Sequence, residues 1–450
     1  MEVLRLEPDW LLTEQGWKSG WQVQVESGRI VALGPASPGS QRLHGQALLP
    51  GMVNAHSHAF QRLLRGRTEW RNPARPSDDF WSWRDLMYRA AMSLSPEQLE
   101  VVARLLYLEM IEAGITTVGE FHYLHYQPDG QAFSEPDELA LRLAEAARWA
   151  GPNLVLLRCA YHRAGFQQEP NPLQVRFLDR HWSDSIEAVK RLASRGISVG
   201  LAPHSVRAVP PDWLRPLADY AQKEQLPLHM HVSEQRREIE QCQAETGQRP
   251  VEFLRDQGVL GSGFTAVHAI HLEAHEIEAL SGSNVCSCPT TERNLGDGIV
   301  AADQLRRAGV RFALGTDSQC QIDLLEDARQ LDYHLRLKHE QRAVLDEPAR
   351  HLHQWLWQAA SAGGADSLAQ PCGLIQAGLR ADFVSYDLNH PQLACDDPIW
   401  LLSELVWGAP KSAIAQVWVA GRPQLQDGLH PGRQQAVRDY KSLVRELTHG

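Results

Sequence analysis

The stretch Asn54–Arg62, NAHSHAFQR, places His56 and His58 two residues apart at the end of an apolar run. Alternate residues of a β-strand face the same side, so both imidazoles would point in one direction. Such a pair is either half of a metal site or a coincidence in a chain that contains 20 histidines. The fold around the pair decides between these two interpretations.

Eight apolar runs follow one another through the middle of the chain, and most are separated by amphipathic segments. They are ALLPGMVNAH (47–56), ITTVGEF (115–121), LVLLRCAYH (154–162), ISVGLAPH (197–204), PLHMHVSE (227–234), FTAVHAIH (264–271), NVCSCP (284–289) and RFALGTD (311–317). Alternating strands and helices in this number predict an α/β fold with a closed, parallel (β/α)8 barrel of the TIM type. An open doubly wound sheet is the alternative, but the region lacks a strand–GxGxxG–helix start.

The two ends of the chain have a different pattern, of short alternating strands. The stretch WQVQVESGRIVALGP (21–35) alternates and is broken at Ser-Gly, and similar short strands return in ADFVSYDL (381–388) and IAQVWVAGRP (414–423). We therefore expect a small β-sandwich domain built from residues 1–48 and 372–425. The catalytic barrel would occupy 49–371, and a C-terminal helix 430–450.

The overall composition indicates a globular protein and argues against nucleic-acid and membrane partners. Of 450 residues, 43% are hydrophobic and 22% are charged, as in globular proteins. The net charge of −11, without a basic stripe, predicts no nucleic-acid partner. No signal peptide opens the chain, and no apolar run approaches the roughly 20 residues that span a bilayer, so no membrane partner is expected. The seven scattered cysteines indicate free thiols in the cytoplasm.

Polar and titratable groups stand at the ends of most of these runs, where a barrel of this type builds its active site. His231 and Glu234 end the fifth run, His268 lies near the end of the sixth, and Asp317 ends the eighth. Three imidazoles and one carboxylate suit a single divalent metal ion, with Zn²⁺ as our prediction and Fe²⁺ or Mn²⁺ as alternatives. Bound Zn²⁺ lowers the pKa of water to about 7.

The ordered set His-x-His, His-x-x-Glu, His and Asp resembles the amidohydrolase superfamily, and the resemblance covers nearly the whole chain. No lysine ends the third or fourth run, as in the mononuclear deaminase branch. The resemblance implies that the metal ligands are His56, His58, His231 and Asp317. It further implies that Glu234 carries protons to the leaving nitrogen, that His268 polarises the reacting group, and that Asp317 takes a proton from the attacking water.

Longer stretches resemble the formiminoglutamate deiminases, which hydrolyse N-formimino-L-glutamate to N-formyl-L-glutamate and ammonia in histidine degradation. They are NAHSHAFQRLLRGRTEW (54–70), EFHYLHY (120–126), APHSVRAV (202–209), HMHVSEQ (229–235) and CPTTERNLGDG (288–298). This resemblance implies a homodimer. It also implies a set of substrate-binding residues, namely Gln61, Arg84, Tyr123, His204 and Arg207.

The chemistry of that substrate can be compared with these residues. Its two carboxylates require arginines or equivalent donors, and its amidinium requires a carboxylate, which Glu234 supplies. Arg89 is a rival to Arg84, and the tryptophan-rich segment 70–89 is either loop core or a lid that excludes water. The alternatives are another mononuclear-metal amidohydrolase, such as a guanine- or cytosine-type deaminase or a triazine chlorohydrolase, and a barrel scaffold without catalysis.

Overall fold

The computed structural model describes residues 3–70, 78–393, 395 and 397–449. Residues 71–77 of the tryptophan-rich segment therefore lie outside the described residues. Within the described part, the strands form two sheets of eight strands each, one a parallel barrel and one a mixed sheet from the two chain ends. The predicted α/β fold, a TIM-like barrel with a small β domain, is confirmed.

The strands of the described residues are numbered in chain order. They are β1 (Leu4–Thr13), β2 (Gly16–Lys18), β3 (Trp21–Glu26), β4 (Arg29–Pro35), β5 (Gln41–Pro50), β6 (Met52–Ser57), β7 (Ile115–His122), β8 (Asn153–Ala160), β9 (Ser198–Pro203), β10 (Leu228–Val232), β11 (Phe264–His268), β12 (Asn284–Ser287), β13 (Arg311–Leu314), β14 (Phe383–Asp387), β15 (Ile414–Val419) and β16 (Arg422–Leu425). Strands β6 to β13 form the barrel in sequence order. In the small sheet the order is β16-β15-β14-β5-β1-β3-β4, with β2 on β1, so that β14 from the C-terminal part pairs with β5 from the N-terminal part.

Helices connect the barrel strands, and further helices follow the last of these strands. They are α1 (Phe80–Ser93), α2 (Pro96–Glu112), α3 (Glu138–Ala150), α4 (Trp182–Ser194), α5 (Pro211–Lys223), α6 (Arg236–Thr246), α7 (Pro250–Asp256), α8 (Ala274–Ala279), α9 (Pro289–Leu295), α10 (Ala302–Arg307), α11 (Leu324–His339), α12 (Leu352–Ala360), α13 (Ala362–Ser367), α14 (Pro398–Gly408) and α15 (Arg433–His449). Local sequence explains many of their ends. Helix α2 begins after Ser95, which forms a capping box with Gln98, and has a proline in its first turn.

The first apolar run, residues 47–56, is divided between the two sheets. It belongs to the small sheet up to Pro50 and to the barrel from Met52. A Cβ on Gly51, between them, would lie 2.3–2.8 Å from side-chain atoms of Thr116, so only glycine fits without displacing its neighbour. The predicted limits of the domains, at 48/49 and 371/372, stay predictions.

The barrel closes between its first and last strands, next to the two histidines. Asn54 in β6 donates to the Thr316 hydroxyl at 2.7 Å and accepts from the Thr316 amide at 3.0 Å. The Asp317 amide donates to the His56 carbonyl at 3.0 Å, and the His58 amide donates to the Asp317 carbonyl at 3.2 Å. Barrel closure therefore brings Asp317 beside His56 and His58, although 261 and 259 positions separate these residues from it in the chain.

Two further properties concern the chain as a whole. The described residues contain no helix that combines the length and the apolar character needed to cross a membrane. All seven cysteines are free thiols. Cys286 and Cys288, which form the pattern Cys-Ser-Cys, are buried at the end of β12.

Candidate metal and active site

Four side chains converge at the carboxyl ends of the barrel strands, and their ligand atoms all lie within 4.8 Å of one another: His56, His58, His231 and Asp317. The Nε2 atom of His56 is 3.1 Å from Nε2 of His58, 3.2 Å from Nε2 of His231 and 3.3 Å from Oδ1 of Asp317. These separations suit neighbouring ligands of a tetrahedral site with metal–nitrogen bonds of about 2.0–2.1 Å. The sequence prediction brought together the same four residues.

Backbone carbonyls fix the tautomers of two of these histidines. The Nδ1–H of His58 donates to the Phe121 carbonyl at 2.9 Å, and the Nδ1–H of His231 donates to the His204 carbonyl at 3.0 Å. Because a carbonyl can only accept, Nε2 of each ring carries a lone pair when the ring is neutral. Burial lowers the pKa of both rings, which favours that neutral form.

The third histidine, His56, is also neutral, because burial lowers its pKa to about 3. Lone pairs that meet at one buried point repel each other unless a cation lies between them. Burial acts to raise the pKa of Asp317, but its hydrogen bond with His56 and the neighbouring imidazoles lower it below the usual value. The donor set therefore fits a divalent cation, with three neutral nitrogens and one carboxylate oxygen.

The backbone at this end of the barrel is strained and tightly packed. Asp317 and His268 have φ angles of 46° and 70°, in the left-handed region that non-glycine residues rarely adopt. A Cβ on Gly315 would lie 2.7 Å from Cβ of His56 and 3.0 Å from Sγ of Cys288. Strain of this kind is concentrated at functional sites, where surrounding contacts hold it in place.

Glu120, at the end of β7, supports the His-x-His segment from behind. Its carboxylate accepts hydrogen bonds from the Ala59 amide at 2.6 Å, the Ser57 hydroxyl at 2.8 Å and the Tyr107 hydroxyl at 3.2 Å. Ser57 and Ala59 flank His58, so these bonds fix the backbone on both sides of that residue. Burial raises the pKa of Glu120 to about 7, although the three donors act in the opposite direction.

Two titratable groups face the metal-ligand group from the fifth and sixth strands. His268 Nε2 lies 3.7 Å from Glu234 Oε1 and 3.9 Å from Asp317 Oδ2. Burial acts to lower the pKa of His268, but Glu234 and the other surrounding carboxylates raise it well above the usual value. The pKa of Glu234 is itself raised by burial. Both shifts favour the protonated forms of these side chains, and shifts of this kind are concentrated at functional sites.

Glu292, in helix α9, lies behind His268 as seen from the ligand group. Its Oε1 lies 3.4 Å from Nδ1 of His268 and accepts from the Cys288 amide at 2.7 Å. The carboxylate therefore orients the His268 ring, in the way that outer carboxylates orient catalytic histidines. A glutamate three residues into helix α9 gives no sign of this role in the sequence, because the contact depends on how the helix packs.

Glu234, His268 and Asp317 line one cavity. The five predicted substrate-binding residues line the same cavity: Gln61, Arg84, Tyr123, His204 and Arg207. The Gln61 amide donates to the Tyr123 hydroxyl at 2.9 Å, which leaves Oε1 of Gln61 buried without a partner. Burial and Arg207 lower the pKa of His204 well below its usual value, so that its ring is neutral.

The two cavity arginines differ in their surroundings. The Nη2 of Arg207 is 3.3 Å from Glu234 Oε2, and its Nε is 3.6 Å from Glu238 Oε2. Among the described residues, no carboxylate lies within 4.0 Å of Arg84, whose guanidinium stacks 4.5 Å from the Trp81 ring centroid. In each arginine the Nε is buried without a hydrogen-bond partner.

Helix α1 forms one wall of this cavity, a feature that the sequence prediction left open. Phe80, Trp83, Met87 and Tyr88 of this helix line the cavity with Leu295 from α9. The Tyr88 hydroxyl lies 3.2 Å from that of Tyr161, and Gln174 donates to both. Part of the tryptophan-rich segment is therefore cavity wall, whereas Trp70 is 65% exposed.

Three other polar side chains near these strand ends lie outside the group of four ligands. His229 Nε2 contacts the Ser367 carbonyl at 2.8 Å, away from the four ligands. His271 Nε2 contacts the Asp297 carbonyl at 2.9 Å in the loop after β11. Asn294 donates to exposed Glu69 at 2.9 Å.

The sequence is similar to those of known hydrolases of one family. The sequence profile described as the Amidohydrolase family matches residues 47–423 of the chain. The chain belongs to the amidohydrolase family. The formimidoylglutamate deiminase of Pseudomonas aeruginosa is 38% identical over 449 residues, which cover 97% of this chain and 98% of that protein. The 8-oxoguanine deaminase of the same species is 29% identical, over 94% of this chain and 93% of that protein.

Solved structures agree with this assignment. A crystal structure titled as an amidohydrolase from Brucella melitensis superposes with a TM-score of 0.91 at 35% identity and covers 100% of both chains. An adenosine deaminase from Xanthomonas campestris with bound zinc superposes with a TM-score of 0.83 at 23% identity, over 99% of each chain. This similarity supports the fold alone. The resemblance stated from the sequence is confirmed, and this amidohydrolase has a His/Asp group suited to a divalent metal ion.

Proposed function

We propose that this amidohydrolase hydrolyses N-formimino-L-glutamate to N-formyl-L-glutamate and ammonia, as a step of histidine degradation. The observation that carries the proposal is the cavity in which Arg84 and Arg207 stand beside Glu234 and the His/Asp group. Two arginines match two carboxylates, and Glu234 matches the amidinium. The 38% identity to the Pseudomonas deiminase, over nearly the full length of both chains, supports the same substrate.

The ligands would be His56, His58, His231 and Asp317, and the ion would be one Zn²⁺. When bound, this ion would act as a Lewis acid and lower the pKa of water in the site. Asp317 accepts a proton from the attacking water, because its pKa is lowered and it is ionised at neutral pH. The water oxygen forms a bond to the formimino carbon.

Glu234 and His268 complete the reaction. Glu234, whose pKa is raised by burial, passes the proton that Asp317 took from the water to the terminal nitrogen, and the bond between that nitrogen and the carbon then breaks to release ammonia. The remaining proton on the water-derived oxygen passes to Asp317 as the formyl carbonyl forms. His268 donates a hydrogen bond toward the tetrahedral carbon's oxygen and stabilises its negative charge. Glu292 keeps the His268 ring in position through Nδ1.

The remaining side chains select the substrate. Arg207 and neutral His204 bind one carboxylate, and Arg84 binds the other. The unpartnered Oε1 of Gln61 accepts a hydrogen bond from a substrate N–H group, while Tyr123 holds the Gln61 amide in place. A planar base would leave the two arginines without anions, which disfavours guanine-, cytosine- or triazine-type substrates.

We further propose that the enzyme works in the cytoplasm as a homodimer. Free thiols at all seven cysteines suit a reducing compartment. The apolar side chains of Ile399 and Trp400 on α14 are 73% and 61% exposed, as expected of a surface that a second subunit could cover. Light scattering coupled to size-exclusion chromatography would show about 101 kDa for a dimer of the 50.5 kDa chain.

Ammonia release from N-formimino-L-glutamate, with mass-spectrometric detection of N-formyl-L-glutamate, tests the function. Asp317→Asn and Glu234→Gln should abolish turnover, whereas Glu240→Gln, at an exposed position on α6, should not change it. A zinc-loaded wild-type protein that releases no ammonia would refute the proposal. Equal activity of Glu234→Gln and wild type would refute the role of Glu234.

A further inference from the structure

Three arginines surround the indole of Trp81 at the start of helix α1. The guanidinium carbon lies 4.5 Å from the ring centroid for Arg84, 4.8 Å for Arg237 and 5.7 Å for Arg207. Each distance is within the range in which a guanidinium is attracted to an aromatic face. Three positively charged side chains therefore cluster around Trp81, although the chain as a whole has a net charge of −11.

These arginines are unequally compensated by acidic side chains. Arg207 has Glu234 at 3.3 Å and Glu238 at 3.6 Å. Among the residues that the structure describes, no carboxylate lies within 4.0 Å of Arg84 or Arg237. The group therefore has an excess of positive charge, which an anion would balance.

The position of Arg237 relates it to the reacting groups. It is the second residue of α6 and lies three residues after Glu234, with an exposed side chain. Arg207 contacts Glu234, which the proposed function pairs with the amidinium, so it suits the α-carboxylate, the nearer of the two carboxylates to the formimino carbon. The side-chain carboxylate of the proposed substrate lies two bonds further out, and the exposed side chain of Arg237 suits a group further from the reacting carbon.

We propose that Arg237 is a further specificity residue that joins Arg84 in binding the side-chain carboxylate of the substrate, with Trp81 holding both guanidinium groups in place. This inference rests on the proposed function and assigns one of its two carboxylates. An arginine that stacks on a ring loses less freedom when it binds a carboxylate, and its planar group can bind both oxygens. The alternative is that Arg237 is a solvent-exposed helix residue that packs on Trp81 and does not bind the substrate.

Neighbouring Arg236 provides a matched control. It is also exposed, on the same turn of α6, and no ring contact involves it among the described residues. Arg236→Gln and Arg237→Gln remove the same charge one residue apart. Both variants and the wild type are assayed with N-formimino-L-glutamate and with N-formimino-L-alanine, which lacks the side-chain carboxylate.

Arg237→Gln should lower kcat/KM for N-formimino-L-glutamate about tenfold, mainly through KM. This tenfold loss corresponds to about 1.4 kcal/mol of binding free energy. Arg237→Gln should leave N-formimino-L-alanine turnover unchanged, and Arg237→Lys should restore part of the loss. Arg236→Gln should resemble the wild type on both substrates. Equal effects of the two variants, or an equal loss on both substrates, would overturn the inference while the proposed function stands.

A binding measurement keeps the inference testable if the proposed function fails. Calorimetry with glutarate, a dicarboxylate without the amidine, reports on the anion site directly. Weaker glutarate binding in Arg237→Gln than in Arg236→Gln supports a carboxylate contact at Arg237. Identical glutarate affinities would overturn it, whatever substrate the enzyme turns over.

Discussion

Replacing Arg84 by methionine should impair substrate binding without affecting folding, whereas replacing Arg207 by methionine should impair both. Arg84 has no carboxylate within 4.0 Å among the described residues, and methionine retains much of its packing on Trp81 and Tyr88. Its removal should therefore lower the free energy of unfolding by about 1 kcal/mol or less. Loss of a charge-assisted contact with a substrate carboxylate costs about 2 kcal/mol, or about thirtyfold in KM.

Arg207→Met leaves two buried acids without their cation. Glu238 is fully buried and Glu234 is 5% exposed, so an uncompensated charge remains in the protein interior. Breaking such a pair costs about 3 kcal/mol of folding free energy, in addition to a loss of substrate binding like that of Arg84→Met.

Urea denaturation of the metal-loaded proteins and steady-state kinetics measure the two effects separately. Metal content, determined by mass spectrometry, should be unchanged in both variants. An unchanged KM in Arg84→Met would refute its assignment to a carboxylate. Equal losses of stability in the two variants would refute the role given to Glu234 and Glu238 as partners of Arg207.

Three other perturbations test separate parts of the site. Gly315→Ala should weaken zinc affinity about 10- to 100-fold in a competition titration, because its Cβ would lie 2.7 Å from Cβ of His56; unchanged affinity would contradict the packing argument. Chelation should abolish activity and destabilise the fold by about 2.7 kcal/mol relative to protein at a hundredfold excess of zinc over Kd, and added Zn²⁺ should restore both; a fold indifferent to chelation would contradict the site. Glu120 has a folded pKa of about 7 against an ordinary value of 4.5, so its contribution to stability is present below pH 4.5 and lost as the pH rises through 7. Between pH 4.5 and 7, the unfolding free energy of the wild type should therefore fall by about 1.4 kcal/mol per pH unit relative to that of Glu120→Gln. If the difference between the two proteins does not change with pH, Glu120 is ionised throughout.

The sequence alone predicted the barrel because it leaves local signals, whereas the four ligands were implied by the resemblance to the amidohydrolase superfamily. Alternating apolar runs mark the strands, and polar residues at the run ends mark one face of the barrel. In the structure, closure of the barrel brings His56 and Asp317 together, and the Asn54–Thr316 contacts show that closure.

Other features depend on tertiary contacts that no local pattern encodes. Glu292 reaches His268 because of the way α9 packs, and Tyr161 reaches Tyr88 because α1 lies across the cavity. The division of the first run at Gly51 depends on the distant side chain of Thr116. The sequence run itself is apolar on both sides of that glycine.

The most direct test of the central claim is the relative kcat/KM of the zinc-loaded enzyme for N-formimino-L-glutamate, guanine, cytosine and 8-oxoguanine, measured by ammonia release. A cavity with two arginines and an acid beside the metal ligands predicts turnover of the linear amidine and at least a thousandfold lower values for the bases, about 4 kcal/mol of discrimination. Comparable or faster turnover of any of the bases would contradict the account.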